Sequence, residues 1–142
     1  MNRSFSIDYE LRATLPATLE AIEEFSVEFR RHAEIMLARA NGFTAELLVR
    51  EALTNAVVHG CHADPDKRVR CVAQLKGRRL TIKVIDDGEG FNWRAAWNHP
   101  AKSSACSGRG IEIIRKYAGR VRFNDKGNAV TITKVLPPKG QS

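Results

Sequence analysis

The sequence predicts an α+β fold, a two-layer sandwich in which helices cover one face of a single mixed sheet. Three observations predict it. Short segments with a period of two recur near the start, in the middle and at the end of the chain; two long runs with near-helical spacing follow the first of them; and turn-type residues join the later strands in pairs. With 142 residues, 43% hydrophobic and 27% charged, the chain reads as one domain over residues 1–142, large enough for a single core.

Phe5 to Thr14 alternates apolar Phe5, Ile7, Tyr9 and Leu11 with Ser6, Asp8, Glu10 and Arg12, the pattern of a half-buried strand. Pro16 then suits the first turn of a helix. From Ala17 to about Ala40, Leu19, Ile22, Phe25, Val27, Phe29, Ala33, Met36 and Leu37 predict one long amphipathic helix, ended near Asn41-Gly42. Thr44 is placed to cap a second helix, with Glu46 in its first turn, running through His59 to Gly60. That second helix is unusually apolar, which predicts burial. Val69–Leu75 and Leu80–Ile85 read as a hairpin across Lys76-Gly77-Arg78-Arg79. Residues 91–107 show no clean period and read as a long loop acting as a lid. Ile111–Tyr117 is then a helix stopped at Gly119, and Val121–Asn124 with Ala129–Val135 is a closing hairpin around Asp125-Lys126-Gly127. Disorder is expected only in the tail, residues 137–142.

The N-terminus lacks an apolar targeting segment and no run of about 18 apolar residues occurs, so a cytosolic protein without membrane insertion is expected. Cys61, Cys71 and Cys106 are odd in number and lack CxxC spacing, which argues for reduced thiols over a disulfide framework or a zinc site. A net charge of +7 points to an anionic partner: nucleic acid, nucleotide or acidic protein. The basic residues are scattered, and no helix carries a sustained basic face, which disfavours direct nucleic-acid binding.

Three short signatures carry the chemistry. On the second helix Glu51 and Asn55 lie about 40° apart and share a face. A buried carboxylate there needs compensation, from a cation or a substrate proton; taken alone, the pair also fits an exposed Glu beside a helix-interior Asn. In the strand before Asp86-Asp87-Gly88-Glu89-Gly90, Leu80, Ile82 and Val84 are in phase with Asp86, so Asp86 points to the buried side and Asp87 away. A carboxylate in that position can accept a hydrogen bond from the amine of adenine and would repel the carbonyl of guanine. Gly88 and Gly90 would let the backbone approach a flat base, although Asp-Asp-Gly is also ordinary turn chemistry. Gly108-Arg109-Gly110 falls where the lid becomes a helix, and free amides at a helix start favour phosphate, with Arg109 and Lys102 able to add positive charge. A plain helix-start loop is the other reading. The GxxxxGK[ST] loop and the kinase signature set are absent, which argues against a P-loop NTPase or an ordinary protein kinase.

The order ExxxN on a helix, DxGxG after a strand, a lid, then GxG at a helix start resembles the GHKL ATPase superfamily of gyrase, the heat-shock chaperone ATPase, histidine kinases and mismatch-repair ATPases. Within it, the short chain and the run from Glu51 to Gly60 are most similar to the bacterial anti-sigma-factor serine/threonine kinases. The resemblance implies ATP and Mg²⁺ as ligands, with Asn55 on the metal, Asp86 and Gly90 on adenine, Gly108 and Gly110 at the phosphates, and Glu51 as base. It further implies phosphorylation of a STAS-type anti-anti-sigma protein, capture of a sigma factor, and a homodimer. A catalytically weak nucleotide-dependent switch module is the alternative. One departure stands out: many relatives carry Thr after the glycine of the last hairpin, whereas Gly127 is followed here by Asn128-Ala129.

Overall fold

Tyr9–Pro16 forms strand β1, in which Tyr9, Leu11, Ala13 and Leu15 pack against the core while the residues between them face solvent. The computed structural model describes residues 9–37, 39–90, 92–98 and 106–138, so the start of the strand expected at Phe5 lies outside it. The remaining elements are helices α1 (Leu19–Met36) and α2 (Arg39–Asn55), a π-helical turn (Ala56–Gly60), strands β2 (Arg68–Lys76) and β3 (Arg79–Asp86), helices α3 (Trp93–Asn98) and α4 (Cys106–Tyr117), and strands β4 (Arg120–Phe123) and β5 (Ala129–Val135).

The strands are ordered β1-β2-β3-β5-β4, and each neighbouring pair is antiparallel. The two-layer α+β architecture is as expected, but the sheet is antiparallel throughout the described residues where a mixed one was expected. The reason is topological. β3 and β4 do run in the same sense, joined through α3 and α4, yet β5 is inserted between them, so their parallel sense never becomes a pairing. One face of the sheet, including Val69, Cys71, Ala73, Leu75, Leu80, Ile82, Val84, Val130 and Ile132, is buried against Ile22, Phe25 and Phe29 of α1, Leu48, Val49 and Leu53 of α2, and Ile114 of α4.

The helix boundaries differ from those expected. Pro16 ends β1, paired with Arg68, and Thr18 caps α1 through its hydroxyl, which accepts from the Ala21 N–H at 3.1 Å. Helix α1 stops at Met36, where Leu37 turns extended and donates its N–H to the Ala33 carbonyl. Asn41-Gly42 therefore lies inside α2, not after α1, and Thr44 caps nothing. Both residues have packing reasons to be there. Asn41 is buried and donates to the Pro137 carbonyl at 3.0 Å, and a Cβ on Gly42 would stand 3.7 Å from that of Ala33, at the α1–α2 contact. Leu136 is buried just before the tail, residues 137–142, and the Pro137 carbonyl accepts the Asn41 bond; residues 139–142 lie outside the described ones.

Glu46, expected to complement a helix dipole, sits mid-helix and accepts from Arg30 at 2.7 and 2.8 Å and from Arg50 at 3.2 Å, while Arg50 also donates to Glu23 at 2.8 Å. This chain of ion pairs stitches α1 to α2. Leu19 and Val27 fall off the apolar stripe of α1 and are exposed. The segment expected to be a lid contains α3, whose first turn is capped by Asn92 accepting from the Ala95 N–H at 3.2 Å; residues 91 and 99–105 are outside the described ones. Among the described residues no helix is long and apolar enough to cross a membrane.

Candidate functional site

A cleft enclosing about 300 Å³, open to solvent, lies between α2, the end of β3, α4 and the β4–β5 hairpin. Its walls are mostly apolar: Ala52 and Ala56 from the α2 side, Val84 and Val130 from the sheet, Ile114 from α4 and Phe123 from β4. The polar groups are few, namely Asn55, Asp86 and Asn128.

The alternation of β3 delivers Asp86 as expected. Leu80, Ile82, Val84 and Asp86 all face the core side, and Asp87 is exposed. Asp86 is 4% exposed; its Oδ1 accepts from the Gly88 N–H at 2.8 Å. Burial raises its pKa, with the charge of Asp87 adding to the effect, while the Gly88 hydrogen bond and the lysines at 126 and 67 oppose it. A carboxylate with one oxygen tied and the other available in an apolar cleft is a selective acceptor for an N–H donor.

On α2, Glu51 is half-buried and Asn55 buried, and neither side chain hydrogen-bonds to a described residue. Burial raises the pKa of Glu51, opposed only by Arg50. The third signature meets the first: a Cβ on Gly110 would stand 3.0 Å from Glu51 Oε1 and 3.1 Å from Asn55 Oδ1. Helix α4 starts at Cys106, earlier than the expected Ile111, so Gly108 and Gly110 sit in its first turns. The free helix-start amides accordingly belong to residues 106–109, and Gly110 serves close approach to α2. Lys102 lies outside the described residues, as does the side chain of Arg109.

The glycines of the second signature have a duty the sequence did not announce. A Cβ on Gly88 would fall 1.8 Å from the Gly60 carbonyl oxygen, and one on Gly60 would fall 2.5 Å from Asp86 Oδ2. Gly90, at φ +87°, would place a Cβ 1.9 Å from the Lys126 carbonyl oxygen. These residues let other stretches of protein backbone, the carbonyls of Gly60 and Lys126, come close to the segment that follows β3. Gly60 reaches that position because α2 widens into the π turn, closed by the Cys61 N–H donating to the Ala56 carbonyl at 2.9 Å. Such turns concentrate at functional sites. No periodicity argument finds a π turn, since its hydrophobic pattern departs from 3.6 by less than one residue. His59, in this turn, is half-buried, and burial with the nearby His62 lowers its pKa. Cys61 and Cys71 are free and buried, and burial pushes Cys71 up to about 12; the Cys106 side chain is outside the described set.

The donors present suit a magnesium nucleotide. Asn55 and Glu51 offer hard oxygen ligands, and among the described residues no cluster of three or more His, Cys, Asp or Glu could hold an ion alone. Magnesium commonly takes one or two protein oxygens and completes its shell from phosphate and water.

Residues 15–134 match the histidine kinase-like ATPase domain. The chain belongs to that family. Among curated relatives it is 32% identical over 96 residues to an anti-sigma F factor of Shouchella clausii, and 30% identical over 96 residues to those of Oceanobacillus iheyensis and Clostridium beijerinckii. These alignments cover 63–64% of this chain and 65–66% of each relative, just under two thirds of their length. Among solved structures, the RsbU and RsbW domains of a Mycobacterium tuberculosis protein align with a TM-score of 0.59 at 21% identity, over 90% of this chain and 31% of that one. The histidine kinase domain of a blue-light activated kinase from Erythrobacter litoralis aligns at 0.52 and 20% identity, over 85% of this chain and 61% of that one. At those identities the two structures speak to the fold.

Proposed function

We propose that this chain is a cytosolic, ATP-dependent protein serine/threonine kinase that acts as an anti-sigma factor, phosphorylating a STAS-type anti-anti-sigma protein and sequestering a sigma factor. The relatives named anti-sigma F factor support the regulatory part of this reading. The observation that carries the catalytic part is Glu51, a half-buried carboxylate of raised proton affinity standing with Asn55, which lines the cleft, against Gly110 of α4.

Asp86 holds the adenine amine, the apolar walls take the faces of the base, and Asn55 ligates Mg²⁺. Bound Mg·ATP supplies the γ-phosphoryl group and neutralises part of the charge that develops during transfer. Glu51 takes the proton from the incoming serine hydroxyl, a task for which its raised pKa suits it, since a base works best with a proton affinity near the working pH. The amides at the start of α4, Gly108 among them, face the phosphates, with Gly110 keeping that helix close to Glu51 and Asn55. Lys102 and Arg109 add positive charge there, and the chain works as a homodimer.

The test is intact-mass analysis of a co-encoded STAS protein incubated with this chain and Mg·ATP. One added phosphate is expected with the unmodified chain and none with Glu51→Gln. Equal transfer by that variant would reject Glu51 as base; no transfer by either, with ATP still bound, would leave the chain a nucleotide-dependent switch and not a kinase.

A further inference from the structure

Basic residues that lie scattered along the sequence are gathered by the strand registers onto the face of the sheet that the helices leave uncovered. Successive side chains of a strand alternate between faces, so the register decides which residues become neighbours there. One row crosses all five strands, with Arg12, Val72, Lys83, Thr131 and Arg122 standing opposite one another in turn. In the rows on either side, Arg70 pairs with Ile85 and Arg120 with Thr133. The basic side chains of these three rows are exposed, and Val72, Ile85, Thr131 and Thr133 between them are half-buried. The one acid is Glu10, which bonds to Arg12 on its own strand and accepts from Gln74 at 2.7 Å. Arg70, Lys83, Arg120 and Arg122 have no side-chain ion pair or hydrogen bond to a described residue. Arg70 and Lys83 are diagonal neighbours across β2 and β3, so like charges are held close with no gain to the fold.

The spacing of the row says what would complement it. Neighbouring strands lie about 4.8 Å apart, so Arg12, Lys83 and Arg122 recur about every 10 Å across the sheet, with Val72 and Thr131 midway. An α-helix rises about 1.5 Å per residue, and side chains seven apart on one face recur at the same ~10 Å, with those three or four along falling between them. A helix laid across the strands, with a carboxylate at every seventh position and an apolar residue midway, sets anion on cation and methyl on methyl. Other occupants fit less well. The aromatics of β1 and β4, Tyr9 and Phe123, pack toward the core, so nucleic-acid bases have nothing to stack on, and a phosphate backbone would lie over Val72 and Ile85. A second copy packed about a two-fold axis would set this face on itself, like charge against like.

We propose that the open face of the sheet is a docking surface for an acidic amphipathic helix of a partner protein, held by Lys83, Arg122 and Arg70 around the half-buried Val72, Ile85 and Thr131. The cleft is on the helix-covered side of the sheet, where Val84, Asp86 and Val130 face. The docking surface therefore goes beyond the kinase reading and stands without it.

The test is fluorescence anisotropy of the full chain with a labelled synthetic helical peptide carrying glutamate at every seventh position and leucine midway, beside its glutamine counterpart. The chain is expected to bind the glutamate peptide at least about tenfold more tightly, and less so as salt is raised. Lys83→Gln should weaken binding about threefold and Lys83→Glu about tenfold, a grading that follows charge. Arg31→Glu, an exposed reversal on α1 that lowers the net charge by the same amount as Lys83→Glu, should leave binding unchanged. Thermal unfolding and Mg·ATP uptake like the parent's would show that the Lys83 variants are folded. No binding of the glutamate peptide, equal binding of its glutamine counterpart, or an equal loss in Arg31→Glu overturns the proposal. Tighter binding of an oligothymidylate of equal charge, lost in Lys83→Glu, would make the face a nucleic-acid surface instead. A change of the chain's own sedimentation from dimer to monomer in Lys83→Glu would make it a contact between copies, and either result overturns the assignment to an acidic helix.

Discussion

Helix α2 carries two glutamates little more than one turn apart, and the protein treats them in opposite ways. Glu46, on the side that meets α1, is buried and saturated with hydrogen bonds from Arg30 and Arg50, which hold its carboxyl below the usual glutamate range. Glu51, on the side that meets Gly110 of α4, hydrogen-bonds to no described residue, and burial lifts its pKa. The difference separates a carboxylate whose partners are part of the fold from one that has no hydrogen-bond partner among the described residues. Fold stability gains from the first and is lowered by the second, which is the expected signature of a site that spends stability on reactivity.

Exchanging each acid for its amide should sharpen this contrast. Glu51→Gln is expected to lower phosphate transfer at least about 100-fold, the scale of a lost general base, while its thermal unfolding midpoint rises, because an ionised group opposed by burial has been removed. Glu46→Gln should retain transfer and lose stability by about 1–2 kcal/mol, the cost of weakening charge-assisted hydrogen bonds at a partly exposed pair. Transfer rates and differential scanning of the two variants check both. A Glu51→Gln protein less stable than the parent would break the comparison, since Glu51 would then have a structural partner.

Acid titration separates the two regions more gently. As the pH falls, Glu51 and Asp86, lifted by burial, take up protons before ordinary carboxylates do, and this uptake favours the folded state. The contribution of Glu46, whose folded pKa is depressed, is fully present above the ordinary glutamate value and is lost only as the pH drops through its lower folded value. A mildly acidic window is therefore expected in which circular dichroism is native and transfer has faded. Coincident loss of both would contradict it.

The sequence disclosed the strands and the inward aim of Asp86 because a period of two leaves a residue only two directions, and β3 obeys it from Leu80 to Asp86. Glu51 and Asn55 were legible for a similar reason, one helical turn apart on a helix too apolar to be exposed. What was hidden depends on tertiary contact. Asn41-Gly42 has the composition of a helix stop, yet Gly42 meets Ala33 and Asn41 reaches Pro137, contacts that local propensity does not weigh. Gly88 and Gly90 read as room for a base, and the close approach of the Gly60 and Lys126 carbonyls to them was hidden. The insertion of β5 between β3 and β4 is likewise a matter of topology, invisible to any window of sequence.

The claim on which the rest depends is that Asn55, Asp86 and Gly110 converge on one nucleotide. Titration of the chain with adenine nucleotide and magnesium, beside Asp86→Asn, tests it most directly. The account predicts uptake of one ATP per chain, preference for ATP over GTP, and loss of that preference in the variant; the same affinity for ATP in Asp86→Asn as in the parent, or no uptake by the parent, would contradict it.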